Sequence, residues 1–371
     1  MKGRKDFITN LKGDFGKMAY KWSWAFGPET ALELETYTPW DPSSTSTNDM
    51  APSNTIKHTY VGDAGDRYSM GIRGNTFLLS PQTMLGHGWF SAYFYYNGST
   101  DWGGYDLLRI NGPVSGQNIA LHINGPKSFN LQMRGYDVTS STDPLDLSDN
   151  TWHHVAVKYD MRNEDDWGAE VFVNGVSVMS GTRNDHYLDA ETTAFFSLGG
   201  AVNSNVPTDS IYWSDIVIYD DLTDPNPFGQ FVTRVEPYFD VSESGSWTPA
   251  STPASTPGDQ ASDLSGTIGT SPVVSEADPL TGEFVRLGSQ DLGTNLGLTS
   301  FNSFGFTSHL FASGSSATNI LSNFKFDSPN PPYISGTAAV DGENAYAWAS
   351  SGSTSLASGT LPYLQAEISG S

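Results

Sequence analysis

The stretch NGSTDWGGYD, residues 97–106, sets Trp102 and Tyr105 among glycines and carboxylates, with Asp101 just ahead of the tryptophan. A flat aromatic face packs on the apolar face of a sugar ring while Asp or Asn takes its hydroxyls, the usual division of labour for polar ligands. Trp167, in DDWG, adds another ring in an acidic setting. Asp101, Trp102, Tyr105 and Trp167 are therefore the candidate carbohydrate contacts. Hard cations take oxygen ligands from loops, so Glu164, Asp165 and Asp166 are the candidate calcium ligands. Asp220 with Asp221, and Asp101 with Asp106, are further oxygen-rich positions, and none has EF-hand spacing. Calcium aside, no cofactor is expected.

Catalytic patterns find less support. There is no G-x-S-x-G and no cysteine nucleophile. A retaining glycosidase needs two carboxylates about 5–5.5 Å apart, which alternate residues of one strand can supply. NEDDWGAE offers Glu164, Asp166 and Glu170, with the wrong spacing and in a loop leading to a hairpin. Glu33 and Glu35 of LELE share a strand face but lack a third carboxylate. The pair His153-His154 is the other candidate. On a strand over 152–159, His153 points with Val155, Val157 and Tyr159, while His154 points with Trp152, Ala156 and Lys158. The two rings cannot address one substrate atom, so both are read as structural. The chain is expected not to be an enzyme.

The elements that carry these residues read as strands. In AEVFVNGVSVMSG the pair Asn174-Gly175 is flanked by β-branched residues, the signal for a type I′ hairpin whose two central residues take positive φ. Trp152–Tyr159, Ala169–Val173 and Val176–Met179 are thus predicted as consecutive antiparallel strands. Charged residues make up only 16% of the chain, and sustained helical periodicity is absent beyond the first twenty residues, so the fold class is all-β. With 371 residues the chain has room for two cores. Residues 1–20 form a basic arm and 21–240 the main β-domain. Residues 241–266 are a Pro/Ser/Thr-rich linker with prolines at 249, 253 and 257. Alternation in Leu298–Phe311 and Asn323–Phe326 predicts a smaller C-terminal β-sandwich over 267–371. TPWDPSSTSTNDMAPSNT (38–55) is predicted as a long loop.

WHHVAVKYD followed by VFVNG resembles the signature of laminin-G-like, or concanavalin A-like, jelly-roll domains. HGWFSAYFYY (87–96), YDLLRI (105–110), QNIALHI (117–123), AFFSLGG (194–200) and IYWSDIVIYDD (211–221) fit its other strands. KWSWAFGPETALELE (21–35) would supply a first strand that pairs with the last. The resemblance covers about residues 20–222 and implies an N-terminal concanavalin A-like jelly-roll sandwich. That fold hosts lectins, adhesion modules, glycosidases and virion proteins alike.

A net charge of −23 repels phosphate backbones, so no nucleic-acid partner is expected. No apolar stretch approaches the length of a membrane span, and the charged N-terminus lacks the apolar core of a signal peptide. An export-type β-protein without a leader or cysteines suits a particle component made in the host cytoplasm. The expectation is a structural or adhesive virion protein of a tailed phage: a capsid decoration, head fibre or tail-fibre component. Its expected partners are other virion proteins, copies of itself as a homo-oligomer such as a trimer, and a cell-surface glycan. The alternatives are a free carbohydrate-binding module and a polysaccharide hydrolase of the same fold.

Overall fold

The computed structural model describes the strands named below and the connecting residues 55–58, 86, 112–117, 124–125, 127–128, 134–135, 145, 147–150, 164–165, 174–175, 185, 187–192, 199 and 222. The chain divides into two units, Met1–His58 with Asp66–Thr233, and Thr59–Gly65 with Arg234–Ser371.

Strand order in the first unit begins β1 (Tyr20–Trp24), β2 (Asp41–Pro42), β3 (Met50–Ser53), β4 (Ser69–Ile72), β5 (Leu78–Leu79) and β6 (Met84–Leu85). It continues with β7 (His87–Tyr96), β8 (Tyr105–Asn111), β9 (Asn118–Ile123), β10 (Phe129–Met133) and β11 (Tyr136–Ser140). The last five are β12 (Thr151–Asn163), β13 (Asp166–Val173), β14 (Val176–Asn184), β15 (Thr193–Leu198) and β16 (Ile211–Tyr219). One antiparallel sheet has the order β14-β13-β12-β7-β16-β4-β3, with β1 also paired to β16. The other runs β11-β10-β9-β8-β15-β5-β2, with β6 paired to β15. The expected pairing of first strand with last is present, as Tyr20↔Tyr219 through Trp24↔Ile216. The segment 38–55 is more than a loop, because β2 and β3 fall within it and join different sheets.

Alternation explains the sandwich. In β7, Phe90, Ala92, Phe94 and Tyr96 point inward, and in β12 so do Val155, Val157, Tyr159 and Met161; all are buried. They meet Leu108, Ile110, Leu121, Ile123, Phe129, Leu131 and Phe196 from the second sheet. Ring contacts bridge the layers: Phe90–Phe196 at 5.5 Å, Tyr159–Phe196 at 5.7 Å and Phe94–Phe129 at 6.1 Å between centroids. Each such side chain contributes about 1.5–3 kcal/mol by leaving water. The first unit is a jelly-roll β-sandwich.

The hairpin forms as its turn residues demand. Asn174 and Gly175 have φ of 49° and 81°, and Val173 pairs with Val176 across them. Asn174 does more than turn the chain. Its Oδ1 accepts from the His154 backbone N–H, its Nδ2 donates to His153 Nδ1, and its own N–H donates to the His154 carbonyl.

In the second unit the backbone pairing alone is described. Strands β17 (Phe239–Ser244), β18 (Trp247–Pro249), β19 (Val274–Glu276) and β20 (Phe284–Gly288) precede β21 (Ser300–Ala312), β22 (Asn319–Phe326), β23 (Ile334–Ala339), β24 (Gly342–Ser355) and β25 (Pro362–Ser369). They form a five-stranded antiparallel sheet, β17-β20-β25-β22-β23, and the pairs β18-β19 and β21-β24. Residues 241–266 are thus not wholly a linker, because β17 extends into them and β18 lies within them. Pro249 sits at the end of β18, where a missing N–H is tolerated. Among the described residues no helix is long and apolar enough to cross a membrane.

Candidate functional site

The two faces of the sandwich differ in chemistry. On the outer face of the first sheet, Trp89, Ala156, Val217 and Tyr219 form a buried apolar cluster against Phe172. The outer face of the second sheet is polar. Opposite the inward series Ile119, Leu121 and Ile123, strand β9 turns Asn118, Ala120 and His122 outward, and β10 turns Asn130 and Gln132 outward.

Register builds a cluster there. Asp106 pairs with His122 across β8 and β9, and His122 pairs with Asn130 across β9 and β10. An irregularity between Asp106 and Leu108 keeps Asp106 on the outer side while Leu107 and Leu108 are both buried. His122 Nδ1 lies 2.8 Å from Asp106 Oδ1. A carboxylate can only accept, so Nδ1 carries a proton, and the matching neutral tautomer has its lone pair on Nε2. Arg109 Nε donates to Asp106 Oδ2 at 2.8 Å, and its Nη2 reaches the same oxygen. Asp106 is 3% exposed, while the His122 and Arg109 side chains keep 19% and 28% exposure. Beside them the buried Oδ1 of Asn130 has no hydrogen-bond partner. The arrangement thus combines a held imidazole and an oriented guanidinium, groups that bind hydroxyls, next to a buried amide oxygen that no protein group satisfies. A carboxylate-held histidine can also move a proton at Nε2.

The histidines of the first sheet serve packing. His153 and His154 lie on opposite faces and are 3% and 4% exposed. With Nδ1 accepting from Asn174, His153 donates from Nε2 to the Ser148 carbonyl at 3.0 Å. His154 Nε2 lies 2.7 Å from Ser91 Oγ. Burial lowers the His154 pKa to about 4, with the nearby His58 acting in the same sense and Asp215 opposing. His58 stacks on Tyr93 at 4.0 Å and bonds through Nδ1 to the fully buried Asp215 at 2.6 Å.

The expected contacts fare differently. Asp101 and Trp102 lie outside the described residues, as do Asp220 and Asp221, and of Tyr105 only the backbone is described, as the first residue of β8. Trp167 is corrected: it is fully buried and its Nε1 donates to the Asp189 carbonyl at 3.0 Å, so it presents no face to a ligand. The strand starts at Asp166 rather than after the acidic run, and alternation turns the next residue inward. Glu164 and Asp165 form the two-residue turn between Asn163 and Asp166, with Asp165 at φ 62°. Among the described residues no group of three or more His, Cys, Asp or Glu side chains is gathered as a metal site, Glu164, Asp165 and Asp166 included. Asp106 is committed to Arg109 and His122. Glu170 accepts from Ser177 Oγ on the outer face of the first sheet, well along the strand from Glu164.

Sequence reasoning passed over His122, Arg109 and Asn130. The available signal was a polar residue inside each of the apolar runs YDLLRI and NIALHI. Their convergence depends on cross-strand register, which no single strand records.

A family model for the concanavalin A-like lectin/glucanases superfamily matches residues 79–223. No curated protein matches the chain in sequence. Similar solved structures include domain 4 of AbnA, an extracellular arabinanase from Geobacillus stearothermophilus, in complex with arabinotriose: 13% identity, covering 56% of this chain and 98% of that one, TM-score 0.37. Another is an endo-β-1,4-glucuronan lyase from Trichoderma reesei, at 9% identity, 55% and 97% coverage and TM-score 0.35. A third is a carbohydrate esterase from the Shiga toxin-encoding bacteriophage phi24B, at 12% identity, 55% and 99% coverage and TM-score 0.35. Several of these similar structures are named as carbohydrate-active enzymes, and the matching family model covers glucanases as well as lectins, so the expectation of a non-enzymatic chain is not upheld.

Proposed function

We propose that the first unit recognises a glycan across the outer face of its second sheet, and that the chain serves as an adhesive component of a tailed-phage virion. The observation that carries the glycan reading is the cluster of Asp106, His122 and Arg109, in which the imidazole and the guanidinium keep exposed surface. A sugar supplies hydroxyls that donate to Nε2 and accept from the guanidinium. The match to a lectin/glucanase family over residues 79–223 supports the same reading. The test is titration calorimetry of the full chain and of His122→Ala against a panel of neutral and acidic oligosaccharides, with release of reducing ends measured in parallel. Binding by the wild type and its loss in the variant support the reading. If no ligand binds, or if no bound ligand loses affinity in His122→Ala, the reading is refuted.

The virion reading is supported by composition: a net charge of −23, which favours colloidal stability on a particle, and no cysteines. Mass spectrometry of density-purified particles from a culture producing the protein tests it. Presence at stoichiometric copy number supports a virion component, and absence from particles removes that reading while leaving glycan recognition intact.

A further inference from the structure

A second site lies at the edge of the sandwich where β10 and β11 approach β14. Arg183 of β14 donates from Nη1 to the Met133 carbonyl there. Two tyrosines stand clear of the surface, Tyr136 at 65% and Tyr187 at 58% exposure, and they are the exposed aromatic rings among the described residues. Each is backed by an arginine: the guanidinium of Arg183 sits 4.4 Å from the Tyr136 ring centroid, and that of Arg134 sits 5.2 Å from the Tyr187 centroid. One network fixes the group. Arg183 pairs with Asp185, and Asp185 Oδ1 accepts from the Tyr187 backbone N–H at 3.1 Å. Arg134 Nη1 donates to the Tyr187 carbonyl at 2.9 Å, and the Arg134 N–H donates to the Asn118 carbonyl at 2.8 Å. Rings held this way lose little entropy when a ligand stacks on them.

Charge singles out Arg134. Arg109, Arg162 and Arg183 are paired with Asp106, Asp160 and Asp185. Arg134 has no carboxylate partner among the described residues, in a chain whose net charge is −23. With Nη1 engaged by the Tyr187 carbonyl, the edge formed by Nε and Nη2 remains for a two-pronged anion contact. We propose that Tyr136, Tyr187 and Arg134 form a second saccharide site, selective for a sugar that carries a carboxylate. The sugar ring stacks on tyrosine and its carboxylate takes the Arg134 edge. This rests on the glycan reading above, at a separate place on the same unit.

The experiment is calorimetric titration of the full chain with tetragalacturonate and with its uncharged, carboxyl-reduced counterpart. The wild type is expected to bind the acidic form at least about tenfold more tightly, with affinity falling as salt rises. Arg134→Gln should erase the preference, and Tyr187→Ala and Tyr136→Ala should each weaken both ligands while leaving the melting temperature unchanged. His122→Ala should leave acidic-sugar binding intact. Wild-type affinity in Arg134→Gln and Tyr187→Ala overturns the proposal. So does acidic-sugar binding that disappears in His122→Ala alone, a result that leaves the second-sheet site standing. Failure of tetragalacturonate to bind at all also overturns it, while neutral ligands continue to test the second-sheet site by itself.

Discussion

Asp106 of β8 and His122 of β9 are register partners, with the imidazole Nδ1 2.8 Å from the carboxylate Oδ1. One carboxylate thereby sets the tautomer of a histidine and the direction of an arginine on the polar face of the sandwich. Replacing Asp106 by Asn keeps the volume but removes the charge that both neighbours use. The expected result is a stability loss of about 1–3 kcal/mol, measured by urea unfolding, together with loss of glycan binding at the second sheet. His122→Ala, at a partly open outward position, should cost less than about 1 kcal/mol and lose binding at the second sheet all the same.

Trp167→Ala separates a packing role from a ligand role. The indole is fully buried and donates to the Asp189 carbonyl. Truncation should destabilise the chain by about 3–5 kcal/mol in equilibrium unfolding. Trp167→Phe retains most of the packing and should cost about 1–3 kcal/mol through the lost bond. Glycan affinity per folded molecule should not change in Trp167→Phe.

Asn174 combines a left-handed backbone, φ 49°, with side-chain bonds to both histidines of β12. Asn174→Gly keeps the backbone freedom and loses two hydrogen bonds, an expected cost of about 1–3 kcal/mol. Asn174→Ala adds backbone strain and should cost about 1 kcal/mol more. Thermal melts of the two variants side by side check the order.

Acid stability should report on His154. In the fold burial holds its pKa at about 4, against an ordinary value of 6.5. Below 6.5 the unfolded chain takes up a proton that the folded chain refuses, so the unfolded state binds more protons. The contribution of the buried neutral ring is therefore full above 6.5 and is lost as pH falls toward about 4, by up to about 3 kcal/mol. Glu191, whose carboxyl is raised by burial and by Asp189, acts in the opposite sense. Unfolding free energy measured from pH 7 to pH 4 should fall less steeply in His154→Gln than in the wild type. An unchanged slope would remove His154 from this role.

Strands and turns were legible where a residue's surroundings are local. The Asn-Gly hairpin, the opposite orientations of His153 and His154 and the sandwich core follow from alternation and turn chemistry, and the structure contains them. The polar cluster was not legible, because Asp106 and His122 belong to different strands and meet only through a register that carries an irregularity. Trp167 was misplaced for a smaller reason. An acidic run resembles a loop, but two residues suffice for the turn, and the strand begins a residue before the tryptophan.

The pairing of β1 with β16 has a consequence for how the first unit is made. Synthesis is vectorial, and Tyr20–Trp24 leave the ribosome long before Ile216–Tyr219, the residues they pair with. By the time Asn184 has emerged, the β12–β13–β14 meander can close over its own short turns, and β7 can dock on β12. β7 still lacks its second neighbour, and β1 remains an unpaired edge until β16 arrives. Contacts so distant in sequence are slow to form. The closing strand is therefore the last structural event in the birth of this unit, and a nascent chain stalled between residues 184 and 211 carries every part of the polar cluster on a sandwich that has not yet shut.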